Sequence, residues 1–337
     1  MKKIRIPLMF LLLTLALLFL LALSLGIGSV TIAPDEFGRI LTGSGDARLA
    51  RILLDIRLPR VLGAALLGGA LGLSGFLLQA FFRNPIAGPY VLGISSGARL
   101  LVYITMIFLL RLFSAAPFIC LMAAAFAGSL LVTGLVLLFA RKVPSMSTLL
   151  VVGIMTGSIC TSLTDFLITF ANESDVVNLH SWSMGSFSAL TFANLVPAAL
   201  IILPAAFFAL LLSKPVGAYL LGENYARSMG VNVRTFRLLL ITLSSLLSAT
   251  VTAIAGPISF VGVAVPHIAR LLFGTTRPLV IIPASFLMGS SFCLLCDLIA
   301  RTVLAPSELT LSSVTAVFGA PVVIALMLRK SGRRENA

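Results

Sequence analysis

The chain is predicted to be an all-α, polytopic membrane protein of about ten transmembrane helices, and three observations predict it. Of its 337 residues, 59% are apolar and only 10% charged, with a mean hydropathy of +1.12. A soluble core of this size needs far less. The apolar residues fall in runs of about 20, the length that crosses the hydrocarbon of a bilayer. Basic residues collect in alternate loops between those runs.

The first run follows MKKIR. Ala22 and Ser24 imitate a cleavage site, but the run is too long for the apolar segment of a signal peptide and reads as a retained first helix near 7–28. Further helices are expected near 61–81, 92–110, 116–139, 147–170, 191–213, 235–255, 258–273, 279–300 and 310–328. The seventh and eighth share an almost continuous apolar stretch, broken by Gly256, Pro257 and Pro266, which argues for two segments with irregular backbone buried between them. Helices one to five (about 7–170) and six to ten (about 191–328) form a single transmembrane domain over 1–337, with the longest cytoplasmic loop at 214–234. This count puts 17 of the 24 Lys and Arg on the cytoplasmic side and most acids outside. Both termini are then cytoplasmic, in a multi-pass membrane protein.

The formal net charge of +13 does not indicate nucleic acid, because the basic residues lie between apolar runs and not on one soluble face. The dipeptide Gly-Lys is absent, so the chain carries no Walker-type phosphate loop and does not hydrolyse ATP by itself. No G-x-S-x-G or H-E-x-x-H occurs, so an enzyme reading starts without a catalytic constellation. Cys120, Cys160, Cys293 and Cys296 all sit in apolar runs. The CLLC pair lacks the second pair or His that a metal site needs, so no metal or cofactor is expected.

Several stretches carry more. In DIRLPRVLG, Arg57 and Arg60 flank Pro59 at the extracytoplasmic start of helix two, where a charge beside an apolar run needs a reason. GAALLGGALGLSG spaces Gly68, Gly69, Gly72 and Gly75 for close helix packing, or for a helix that also lines a pathway. FFRNPIAGPYVLGISSGA and AGPISFVGVAVPHIAR are Gly/Pro-broken stretches at comparable places in the two halves, pointing to an internal pseudo-repeat and a transport pathway. Asp165 and Asp297 are intramembrane acids. Asp297 precedes Arg301 by one helical turn and is expected to pair with it, whereas Asp165 has no partner in its own helix. Between Gly217 and Gly230 the cytoplasmic loop reads as one short helix with an apolar face, either resting on the membrane or docking a cytoplasmic partner.

RLPRVLGAALLGGALGLSGFLLQAFFRNPIAGPYVLGISSGA, LGENYARSMGV, GPISFVGVAVPHIARLLFG and CDLIARTVLAPSELTLSSVTAVFGAP resemble the signature stretches of FecCD-type permeases. These are the membrane subunits of bacterial ABC importers for iron-siderophores, haem and vitamin B12. The resemblance spans nearly the whole chain and implies a type II importer permease with ten helices per subunit. Its partners would be a second copy of the permease, two ATP-binding subunits, and a periplasmic or lipoprotein substrate-binding protein. By resemblance Arg57, Arg60 and Arg301 dock the binding protein, although Cys296 replaces the usual alanine before Asp297. Pro59 is expected to hold the start of helix two extended and leave the guanidinium groups presented to carboxylates. LGENYARSMGV resembles the coupling helix that fits the ATPase, through Leu221, Gly222, Glu223, Ala226, Arg227 and Gly230. The translocation gate resembles Asn84, Pro85 and Ile86 with Met146 and Ser147, where Met146 departs from a small polar residue. The implied cargo is a metal chelate, iron-siderophore first and haem or cobalamin next. From the residues alone, a proton-coupled secondary transporter using Asp165 or Asp297 is the alternative.

Overall fold

A computed structural model of the chain describes residues 2–28, 34–42, 44–112, 118–140, 142–143, 145–305 and 307–335. The stretch 113–117, where the fourth helix is expected to begin, lies outside the described residues. All regular elements among them are helical. In order they are α1 (Lys2–Gly26), α2 (Pro34–Leu41), α3 (Ala47–Arg51), α4 (Leu58–Phe82), α5 (Ile94–Leu112), α6 (Phe118–Ala140), α7 (Met146–Ile168) and α8 (Glu173–Ser183). There follow α9 (Phe192–Leu211), α10 (Ser213–Leu221), α11 (Glu223–Ser228), α12 (Val233–Ala255), α13 (Val261–Phe273), α14 (Pro278–Thr302) and α15 (Leu311–Glu335). Among the described residues seven helices are long and apolar enough to cross a membrane, and three shorter apolar stretches, in α5, α13 and α15, fall on the remaining expected segments.

The start of the second membrane segment differs from expectation. Pro59 does not hold it extended: α3, a π-helical turn at Ile52–Arg57 and α4 run on as one helical stretch, Ala47–Phe82, with Arg57 itself in helical geometry. The wider turn shifts the hydrogen-bond register, so that the Leu58 N–H donates to Leu53 O. Pro59, second in α4, has no N–H to satisfy and costs the first turn nothing.

Helix α4 is the centre of the bundle, buried on nearly all sides and packed by α14, α12, α13, α9 and α1. Its glycines make that possible. A methyl group on Gly68 would stand 2.6 Å from Gly289 O of α14, and one on Gly75 would strike Gly262 O of α13. Close backbone approach replaces the hydrophobic drive that lipid does not supply between helices. Serines add polar glue: Ser74 Oγ donates to Ser244 O at 2.8 Å, and Ser244 Oγ donates back to Ser74 O at 2.9 Å.

Helix α13 has 13 residues, about 20 Å at 1.5 Å per residue, too short for a bilayer core of about 30 Å. The irregular backbone between α12 and α13 lies inside the bundle, with Gly256 to Ile258 buried as expected. Its carbonyls find partners: Ser186 N–H donates to Ala255 O at 2.8 Å, and Ser312 Oγ donates to Pro257 O at 2.8 Å. The two Gly/Pro-broken stretches meet inside the bundle, where a methyl on Gly262 would come within 2.8 Å of Pro89 Cδ.

Candidate functional site

Helices α4 and α14 run antiparallel, because Arg60 at the start of α4 meets Asp297 near the end of α14. The bundle therefore has two chemically distinct ends. At the first, Arg60 Nη2 donates to Asp297 Oδ1 at 2.9 Å and Nε bridges both carboxylate oxygens at 3.1 and 3.2 Å. The other side of the same guanidinium donates to Glu308 through Nη1 at 2.8 Å and Nη2 at 3.0 Å. Arg57 Nη1 donates to the last carbonyls of α1, Leu25 O at 3.0 Å and Gly26 O at 3.2 Å, and Arg301 Nη2 donates to Ser24 O at 2.6 Å.

All three arginines are thus brought together, but none stands free on a rim. Arg57, Arg60 and Arg301 are 5%, 8% and 7% exposed, where the sequence reading presents them to a partner. The reason is local. Carboxylates and helix-end carbonyls reach the guanidinium groups from within the chain and satisfy several donors that desolvation would otherwise penalise, although Arg301 Nε is buried without a hydrogen bond among the described residues. The expected Asp297–Arg301 turn pair is loose, with Arg301 Nε 3.7 Å from Asp297 Oδ2, and Arg60 is the main partner of Asp297. Glu308, on the segment between α14 and α15, is a member that sequence reasoning missed. Its distance from Arg60 along the chain left no local signal. The hydrogen bonds from Arg60 hold its carboxyl below the usual glutamate range.

At the other end, the loop after α9 forms two short helices instead of the expected single one. Gly222 separates α10 from α11 with φ 145°, a backbone region open to glycine and strained for other residues. Glu223 opens α11 and accepts from Arg227 Nη2 at 2.9 Å and from Arg237 Nη2, on α12, at 2.6 Å. Arg237 Nε donates to Tyr219 Oη at 3.1 Å, and Tyr219 Oη donates to Phe81 O, in the last turn of α4, at 3.3 Å. Tyr219, Arg237 and Phe81, also missed from the sequence, tie the knob to the central helix. Leu221, Tyr225 and Met229 project outward, 72%, 48% and 63% exposed, whereas Ala226 is buried within the chain. Gly230 ends the segment at φ 80°.

The gate candidates fall in two places. Asn84 and Pro85 border a cavity of about 690 Å³ beside α10 and the start of α14, and Asn84 Oδ1 accepts from Ile86 N–H at 3.2 Å, fixing the turn after α4. Met146 lines a second cavity, about 710 Å³, together with Phe81, Glu223 and Arg237, and Ser147 is exposed at the start of α7. Asp165 lies on the outer face of α7, and no side chain pairs with its carboxylate among the described residues.

A ten-segment helical bundle with a charged cluster closing one end and an apolar-tipped knob anchored to its central helix at the other defines a multi-pass membrane permease. Residues 15–329 match the FecCD transport family, and the chain belongs to that family. It is 35% identical over 299 residues to the hemin transport system permease protein HmuU of Yersinia pestis, covering 88% of each chain. It is 39% identical over 278 residues to the vitamin B12 import system permease protein BtuC of Klebsiella pneumoniae, covering 82% of each. A solved structure described as an inward-facing conformation of a metal-chelate type ABC transporter superposes with a TM-score of 0.86 at 29% identity, covering 96% of this chain and 99% of that one. The chain is accordingly a transport subunit of the ABC importer class, and not itself an enzyme.

Proposed function

We propose that the chain is the permease of a binding-protein-dependent ABC importer in the cell inner membrane, working as a homodimer with two ATP-binding subunits. It carries a metal chelate, with iron-siderophore first and haem or cobalamin next. The names of its hemin and vitamin B12 relatives support that cargo class. One observation carries the reading: an exposed apolar knob, Leu221, Tyr225 and Met229, is fastened through Glu223, Arg237 and Tyr219 to the end of α4. A surface helix resting on lipid needs no such rigid link to the bundle centre. A helix that receives force from an engine does.

In this reading both termini are cytoplasmic, and α10–α11 enters a cleft of the ATPase through Leu221, Gly222, Glu223, Arg227 and Gly230, with buried Ala226 supporting them. Movement of the knob is passed to the turn at Asn84, Pro85 and Ile86 and to the start of α7 at Met146 and Ser147, which form the cytoplasmic gate. At the outer end, Arg57, Arg60 and Arg301 receive carboxylates of the binding protein. Because Arg60 already holds Glu308, an acidic partner must compete with that side chain, which is 42% exposed and lies on a connecting segment.

Reconstitution in sealed vesicles tests the proposal. Chelate uptake is expected to need the ATP-binding subunit, the binding protein and ATP together. Uptake driven by a pH gradient in the permease alone overturns it in favour of a secondary transporter using Asp165 or Asp297 as a proton site.

A further inference from the structure

The cavity of about 690 Å³ at the α10 end is bordered by the gate turn at Asn84 and Pro85 and by Leu221 of the knob, and it also has a basic wall that neither of those roles uses. Arg83, Arg270 and Arg277 all border it, and no Asp or Glu does. None of the three forms an ion pair among the described residues. Arg270, in the last turn of α13, is held in place without being neutralised. Its Nη2 donates to Gln79 Oε1 at 2.7 Å, and its guanidinium lies 5.8 Å from the Phe76 ring centroid. Gln79 is 3% exposed and fixed in turn by donating to Gly262 O and Val263 O at 3.3 and 3.1 Å. A guanidinium has five N–H donors, and this one is aimed by an amide that cannot turn away.

Orientation by positive charge does not require this arrangement, since exposed loop cations serve as well. Arg83 adds a second anomaly. It caps α4 in left-handed geometry, φ 49°, a position where glycine is the unstrained choice. An arginine kept there points to use of its side chain. The first turn of α14, beginning at Pro278, also borders the cavity and contributes its positive dipole end.

We infer that this cavity binds the phosphate of an anionic phospholipid headgroup. Three guanidinium groups and no carboxylate select an anion with several acceptor oxygens. Leu220 and Pro278, both part-exposed, supply apolar wall that a free inorganic anion would not use and a glycerol backbone would. The depth agrees: the cavity sits where α4 ends and α14 begins, at the edge of two membrane-spanning segments. Basic pockets between helices at that level are headgroup sites in physical terms. The volume falls in the range of ordinary small-molecule sites.

The test is retention of phosphatidylglycerol against phosphatidylcholine by the purified, delipidated full chain, counted by native mass spectrometry and by the shift in unfolding temperature. Wild type is expected to retain phosphatidylglycerol at least tenfold more tightly than phosphatidylcholine. Arg270→Gln, and separately the exposed pair Arg83→Gln with Arg277→Gln, are expected to abolish that preference. Arg48→Gln, an exposed cation beside the opposite end, should leave it unchanged. The pair variant keeps the test decisive if Arg270→Gln fails to fold. Equal retention of the two lipids, or variants that keep the preference, overturns the inference. Competition by millimolar inorganic phosphate as strong as that by the lipid reassigns the cavity to a free anion and overturns the lipid reading. So does loss of ATPase assembly in the variants without any change in lipid retention, which would place a protein carboxylate there.

Discussion

Arg60 and Asp297 lie 237 positions apart in the chain and 2.9 Å apart in the fold, with Asp297 buried to 2% exposure. This pair fastens the start of α4 to the end of α14, two helices whose backbones approach closely at Gly68 and Gly289. Removing one partner strands a charge where water cannot reach it. Arg60→Met is expected to destabilise by roughly 3–5 kcal/mol, the cost of an orphaned buried carboxylate. The double variant Arg60→Met with Asp297→Leu should recover most of that loss, because an apolar pair of similar volume replaces the ion pair. Thermal unfolding in detergent reads both. A double variant no more stable than the single one would show that the charge pair itself, and not relief of an orphan, sets stability.

Glu308 gives the same cluster a pH dependence. The Arg60 hydrogen bonds depress its carboxyl pKa in the folded chain. Its contribution is therefore complete above the unfolded glutamate value, about 4.3, and is lost as pH falls through the lower folded value. Unfolding temperature should decline as the medium is acidified below about pH 4, and Glu308→Gln should flatten that decline. The side chain is 42% exposed, so the effect is a shallow slope. An identical acid profile in wild type and variant rules the contact out as its source.

The seven long spans and three shorter apolar segments among the described residues were legible because lipid imposes length and hydropathy on each segment separately. Gly68, Gly72 and Gly75 were legible as a packing surface for the same reason, since their spacing is local to α4. What escaped the sequence is what depends on distant parts of the chain. Glu308 is invisible beside Arg60 across 248 positions, and Tyr219 gives no sign that it will reach Phe81 O. The π-turn before Pro59 escaped because proline signals an interrupted helix, and a register shift upstream removes the interruption. Gly222 reads as a tolerable glycine within a helix until its φ of 145° divides α10 from α11.

The close crossings can be tested against a control on the same bundle. Gly75→Ala places a methyl against Gly262 O, and the backbone of α13 must move. A cost of about 1–3 kcal/mol is expected, as for other overpacked cores. Gly134, on α6, has nothing within 4 Å of the same methyl, and Gly134→Ala is expected to be neutral or to gain up to about 1 kcal/mol of helix propensity. Unfolding temperatures of the two variants, measured side by side, should move in opposite directions or differ by the overpacking cost. Equal shifts would mean that α4 and α13 do not approach as closely as these glycines allow.

The link from knob to bundle separates stability from coupling. Tyr219→Phe keeps the buried ring, which packs on Phe236 at 5.4 Å between centroids, and deletes the hydroxyl that joins Arg237 to Phe81 O. A hydrogen bond of this kind contributes about 0.5–1.5 kcal/mol, so folding should be little affected. Transport should suffer more, because α11 then keeps its Glu223–Arg237 clasp but loses its bond to the end of α4. The expected result in reconstituted vesicles is ATP hydrolysis near the wild-type rate with chelate uptake per ATP reduced several-fold. Leu221→Ser makes the complementary case. Its side chain is 72% exposed, so its removal should spare stability and the internal link, and instead weaken assembly with the ATP-binding subunit. A Tyr219→Phe variant that moves as much chelate per ATP as wild type would show that force reaches α4 by another route, with Glu223 and Arg237 then holding the knob in shape alone.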